Sequence, residues 1–263
     1  MDLGVKIILS IFSFVLGAIL ASFGGVLSYR LPKKISIIKP RSYCPICKKS
    51  IKWYDNIPII SYIILRGKCR NCKANIALSS FFIELFSAIL YSLTFYKYEF
   101  SIMTLMIFIL LFLFVIIASN DFESYIIYDI NLIIFSFISI LITLYKIFFL
   151  KKPLFSYLLG SIVGFGFFSL YRLFFKIVKK EEVIGTGDIY LTGIAGTMLG
   201  PINVLLSIGL GSIFGAIFEL TKLRIRKMNL DTVMPFAPYL VLGFSIMLIY
   251  GDKLVDWYMK VWI

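Results

Sequence analysis

The stretch Ile102-Met-Thr-Leu-Met-Ile-Phe-Ile-Leu-Leu-Phe-Leu-Phe-Val-Ile-Ile-Ala-Ser119-Asn-Asp121 decides the fold. Its first 18 residues carry no charge and approach the roughly 20 that a helix needs to cross a hydrocarbon layer. Six further runs read the same way, at 7–29, 79–96, 130–149, 153–175, 202–220 and 233–250. A shorter run at 189–199 ends in Gly200-Pro201, a step that predicts a tight turn between two helices, so it counts as an eighth crossing. With 60% hydrophobic residues, 17% aromatics and a mean hydropathy of +0.95, the composition excludes a soluble globular domain. The expected fold class is an all-α polytopic membrane protein of about eight transmembrane helices.

The first run is too long for a cleaved signal peptide and no A-x-A-like site follows it, so it is expected to remain in the mature protein. The longest soluble stretch then divides the chain into a first transmembrane helix (1–29), a cytosolic insert (30–78) and a transmembrane domain (79–263). Orientation follows from the basic residues, which cytoplasmic loops retain. Of 27 Lys and Arg, 12 fall in 30–78, four in 172–184 and four in 221–232, all on one face of an eight-crossing topology. That face is expected to be cytoplasmic; Lys146, Lys151 and Lys152 fall on the other. The +13 net charge is thus mostly loop charge, suited to membrane lipid headgroups and not to nucleic acid.

All four cysteines lie in the insert, as Cys44-Pro-Ile-Cys47 and Cys69-Arg-Asn-Cys72 with 21 residues between the pairs. Two such knuckles bring four thiolates into a tetrahedron around Zn2+, and Lys48, Lys49, Lys68, Arg70 and Lys73 lower the cost of holding that charge. Four sulfur ligands leave no open position for water, so the metal is expected to be structural. A pair of disulfides is the competing reading, disfavoured on a reducing cytosolic face. The intervening residues from Trp53 to Tyr62 mix aromatic, polar and proline side chains, which cover the metal, sit at the membrane interface or pack an insert too short to have its own core.

No histidine occurs anywhere, which excludes Ser-His-Asp and Cys-His triads and His-ligated metalloprotease centres. Among the 14 acidic residues, two stand at membrane boundaries: Asp121, just after Ser119, and Asp188, in Gly185-Thr186-Gly187-Asp188. The third crossing leaves on the cytoplasmic side and the sixth enters from it, so topological parity places both carboxylates at one face although 67 positions separate them. Two carboxylates held close share one proton, the arrangement that activates a water against a peptide carbonyl. Gly185 and Gly187 allow a substrate strand to approach Asp188. For a lone Asp the competing reading is a helix N-cap or a boundary residue. Asp129 either helps shape the site or caps the fourth run; Glu84 and Glu219, inside apolar runs, are either functional or engaged in interhelical hydrogen bonds.

These residues resemble the bacterial type IV prepilin peptidases, membrane aspartic peptidases with a G-x-G-D aspartate. The likeness runs through Ala21-Ser22-Phe23, Arg30-Leu31-Pro32, the two knuckles, Leu65-Arg66-Gly67-Lys68-Cys69, Glu84, Asp121 with Asp129, Gly185 to Asp188, and Met234-Pro235-Phe236-Ala237-Pro238-Tyr239. It implies that Asp121 and Asp188 are catalytic and that the chain sits in the inner membrane. Its substrates would be prepilins or pseudopilins, cut after a short basic leader at the cytoplasmic face. Many members also methylate the new N-terminus with S-adenosylmethionine, an activity the family associates with the region of Gly67 and Glu84. The chain departs from the family pattern at Gly24-Gly25, at Ile127-Tyr128 and at Tyr190, where an Asn, a Leu-Pro and a Lys are usual. The alternatives are a secondary transporter or channel coupling ions through the same acids, and a membrane scaffold whose insert binds a cytosolic partner.

Overall fold

A computed structural model describes residues 1–180, 184–226 and 234–262. Lys227, counted among the basic loop residues, and Val233, the start of the last run, lie outside the described residues. Among the described residues the regular structure is helical, and seven helices are long and apolar enough to cross a membrane. The chain is a multi-pass membrane protein, and it falls into two compact units, Met1–Glu123 and Ser124–Ile263.

The first unit is built on α1 (Leu3–Arg30), α3 (Leu78–Tyr98) and α4 (Ile102–Ser124), with α2 (Ile60–Ile64) in the insert. Lipid gives no hydrophobic push between helices, so close packing needs small residues at the seam. The buried face of α1 supplies them at three- and four-residue steps: Ser10, Ser13, Gly17, Ala21 and Gly24. Its other face carries the large residues Ile8, Phe12, Val15 and Ile19, all exposed. A Cβ at Gly17 would lie 2.8 Å from that of Tyr91 on α3, and one at Gly24 would lie 2.7 Å from a Val115 methyl on α4. Tyr91 closes the seam by donating its hydroxyl to the Phe108 carbonyl at 2.6 Å. α4 continues through Asn120 and Asp121, so the acid predicted to follow the third crossing is buried in its last turns.

The second unit contains α5 (Asp129–Phe148), α6 (Leu154–Lys179), α7 (Thr186–Leu199), α8 (Pro201–Arg226) and α9 (Ala237–Trp262). α7 is its centre: Leu191, Thr192, Ala195 and Met198 have no exposed surface, and it packs against the four other helices. Gly160 and Gly164 of α6 meet Gly196 and Thr192 of α7 backbone to backbone, leaving no room for a Cβ. The α7–α8 turn is made by Gly200, whose φ of +82° suits only glycine, and by Pro201 at the first helical position. α7 is the predicted eighth crossing, but its 14 residues measure only about 21 Å, and it is not among the seven helices of spanning length.

Candidate functional site

The two cysteine knuckles have the same construction. In the first, the Lys48 amide donates to the Cys44 carbonyl at 2.9 Å and the Cys44 amide to Lys49 at 3.0 Å; in the second, Lys73 donates to Cys69 at 3.0 Å and Cys69 to Ala74 at 2.8 Å. Lys48 and Lys73 both take positive φ, 58° and 59°, which turns each chain back after its second cysteine. The four Sγ atoms lie within 4.8 Å of one another, with Cys44 and Cys72 at 3.8 Å. That is the edge of a tetrahedron with metal–sulfur bonds of about 2.3 Å, and far beyond the roughly 2.05 Å of a disulfide. All four cysteines are free, so the disulfide reading falls and the set fits a metal ion. Amides of Cys47 and Ile46 point at the Cys44 sulfur and lower its pKa to about 6. The Ala74 amide does the same for Cys72, but burial and the three neighbouring thiols override it and push that group up to about 11.

Arg70, read from sequence as a counter-charge for the thiolates, is instead clasped by Asp55. Its Nε donates to both Asp55 oxygens, at 3.0 and 2.8 Å, and its Nη2 to one of them at 2.6 Å. This guanidinium holds the Asp55 carboxyl below its ordinary value. The clasp ties the second knuckle to the short 3₁₀ turn Trp53–Asn56.

Beneath the knuckles lies a cavity of about 320 Å³, lined by Cys44, Cys69, Ser22, Ser61, Tyr62 and Glu84 among others. Such a volume is at the lower end of small-ligand pockets. Glu84, from inside the α3 span, does not point at lipid: its Oε2 accepts the Ile59 amide at 2.8 Å. Ile59 has φ 63° and ψ −55°, and the next amide returns to the Pro58 carbonyl at 2.6 Å. This is a strained three-residue turn in a conformation that β-branched side chains avoid, held at the start of α2. Gly67 also needs its positive φ of 66°, and a Cβ there would meet the Tyr62 hydroxyl at 2.8 Å. Gly67 and Glu84 thus converge on the surroundings of Tyr62, itself packed on Phe81 with ring centroids 4.8 Å apart.

Asp121 belongs to the first unit and is 6% exposed. Asp188 belongs to the second, as the third residue of α7, where the helix dipole favours a negative charge. Gly185 is the N-cap, and its missing side chain faces a carboxylate oxygen of Asp188 at 3.5 Å. Opposite Gly187 stands Ile127, 3.1 Å from where a Cβ would be, so this glycine seats the chain entering α5 against the start of α7. Buried Thr192, one turn on, reaches the carbonyls of Asp188 at 2.9 Å and Gly164 at 3.1 Å and locks the Asp188 turn onto α6. Asp129 is the exposed first residue of α5; Tyr128 holds the N-cap position without a side-chain cap bond, so of the two readings for Asp129 the capping one does not hold. Tyr190, in place of the family's Lys, is exposed and meets Phe165 edge to face. Glu219 is engaged between helices, accepting from the Tyr239 hydroxyl at 2.8 Å.

Sequence reasoning assigned no task to Arg30 or Asp55. Arg30 is 6% exposed and donates to the carbonyls of Ser36, Ile37 and Pro40 at 2.8–3.1 Å. In the sequence it stands in Arg30-Leu31-Pro32 as a cation at the end of an apolar run, which normally reads as an interfacial anchor.

Comparison with known proteins agrees with this layout. Residues 15–98 match the Bacterial Peptidase A24 N-terminal domain, and residues 107–220 match the Type IV leader peptidase family. The chain is similar to proteins named prepilin leader peptidase/N-methyltransferase from Pseudomonas aeruginosa (28% identical, over 94% of this chain and 92% of the relative) and Bacillus subtilis (30%, over 94% and 96%). The relative of the same name from Vibrio cholerae is 33% identical over 74% of this chain and 77% of its own. No solved structure matches. With cover of this extent, the chain belongs to the type IV leader peptidase family, that of the prepilin leader peptidase/N-methyltransferases.

Proposed function

We propose that this protein is a membrane-embedded aspartic endopeptidase that removes the short basic leader of type IV prepilins or pseudopilins at the cytoplasmic face of the inner membrane. The observation that carries the reading is that both Asp121 and Asp188 fall inside the segment 107–220 matched to the leader peptidase family, each at a helix end. In this reading the chemistry belongs to 79–263, and the two carboxyl groups share one proton. The ionised one takes a proton from water as it attacks the scissile carbonyl, and the protonated one donates to the carbonyl oxygen. Gly185 and Gly187 fix the backbone at Asp188, and Asp129 marks the exposed rim.

The relatives' names also speak of N-methyl transfer, and we assign that second activity to the first unit. S-adenosylmethionine would supply the methyl group there, and Glu84, with the turn held by Gly67, would shape the cavity that receives it. The four cysteines, on a soluble insert at 30–78, would hold Zn2+ as a structural ion. The family match speaks for a peptidase over a transporter or scaffold.

The test is co-expression with a pilin-like precursor. Asp121→Asn and Asp188→Asn should each leave the leader attached, and wild-type product should carry one added methyl group by mass spectrometry. Undiminished cleavage in both variants would sink the assignment.

A further inference from the structure

A second cavity, of about 580 Å³, opens where α1 leaves the membrane span. One wall is an apolar face of α1, formed by exposed Ile19 and Phe23 and half-buried Val26; other lining residues come from the insert and include Trp53, which is 77% exposed. The lining also holds two guanidinium groups, Arg30 and Arg41, and no lining residue is acidic.

Arg30 is the unusual one. It is 6% exposed, its partners are three backbone carbonyls, and no carboxylate pairs with it among the described residues. A nearly buried cation without a counter-anion is costly, and the carbonyl dipoles offset only part of that cost. Arg41, exposed at the same cavity, adds a second positive charge. A ligand that fits must therefore be anionic at one end and apolar at the other, and it must enter along a helix face that lipid already covers.

We propose that this cavity binds an anionic phospholipid, with the acyl chain along Ile19, Phe23 and Val26 and the phosphate against Arg30 and Arg41. A basic leader peptide carries the wrong charge for the two guanidinium groups, although its apolar continuation would suit the walls. Trp53, largely exposed on the cavity wall, suits the preference of indole rings for the water–lipid boundary.

Trp53 provides the readout. In a Trp257→Phe, Trp262→Phe background it is the sole tryptophan. The protein is reconstituted in nanodiscs of phosphatidylcholine doped with brominated phosphatidylglycerol, or with brominated phosphatidylcholine at equal bromine content. Quenching should occur at several-fold lower mole fraction with the anionic lipid. Arg41→Gln should raise that mole fraction about fivefold, and Arg41→Lys should largely restore it. Equal quenching by the two lipids would overturn the proposal by reducing the insert to general interfacial contact. Absence of quenching would overturn it by removing lipid from the cavity. Relief of quenching by inorganic phosphate or by a pilin-derived peptide, with no dependence on lipid charge, would give the cavity to another occupant.

Discussion

Replacing Glu84 with Ala removes the 2.8 Å hydrogen bond by which α3 holds the strained turn at Ile59, and the size of the effect follows from the geometry. A hydrogen bond to a carboxyl group contributes on the order of 1–3 kcal/mol, and the sparsely populated backbone conformation of Ile59 costs about 1–3 kcal/mol. Without the acceptor the turn should open more readily by about 2 kcal/mol, roughly thirtyfold in the local equilibrium. Hydrogen exchange of the peptide spanning 57–65, measured on zinc-loaded protein in nanodiscs, reads this directly. Adding Ile59→Gly to Glu84→Ala should recover about 1 kcal/mol of protection, because glycine adopts this conformation without strain. Adding Ile59→Ala, which keeps the Cβ, should not. Unchanged exchange in Glu84→Ala, or equal recovery by Gly and Ala, would refute the view that Glu84 holds the turn.

Gly196→Ala should lower the thermal midpoint of the second unit in detergent, by a destabilisation of about 1–3 kcal/mol, because its Cβ would meet the Gly160 backbone; Gly166→Ala, which has open space, should leave the midpoint level or slightly raised. The Asp55–Arg70 clasp should be pH-independent across the neutral range. Asp55 has its folded pKa lowered by Arg70, so its contribution is complete above the ordinary carboxylate value of about 4 and is lost as pH falls through the lowered one. Exchange at 53–56 should therefore rise only in acid, and Asp55→Asn should show the raised rate at every pH. Cys44→Ser or a strong chelator should release one metal ion per chain, detected by elemental analysis, and should increase proteolysis within 40–76 before any loss of helix signal.

The spanning helices were legible because an apolar run of sufficient length, with at most one charged residue, has no other stable home in water or lipid. Their ends were not. The third run stops at Ser119 by hydropathy, yet backbone hydrogen bonding is indifferent to side-chain polarity, and α4 carries Asn120 and Asp121 onward into buried positions. Likewise Thr186 and Gly187 look like loop residues but form the first turn of α7, because Gly185 takes the capping position. The knuckles could be read from spacing alone, since C-x-x-C geometry is local. Arg70's choice of Asp55 over the thiolates, Glu84's hold on Ile59 and Arg30's seat among carbonyls depend on segments 6 to 25 positions apart that meet only after folding. No periodicity encodes such meetings.

The shortness of α7 has a hydraulic meaning. A hydrocarbon slab is about 30 Å deep, so a helix of about 21 Å must end below one of its surfaces. Its carboxyl end is already sealed: Thr143 donates to the Thr197 carbonyl at 2.7 Å and the Lys146 ammonium to Met198 at 2.9 Å. The opposite end begins at Gly185, which offers no side chain to its amides, and under the proposed function solvent reaching them would stand beside Asp188.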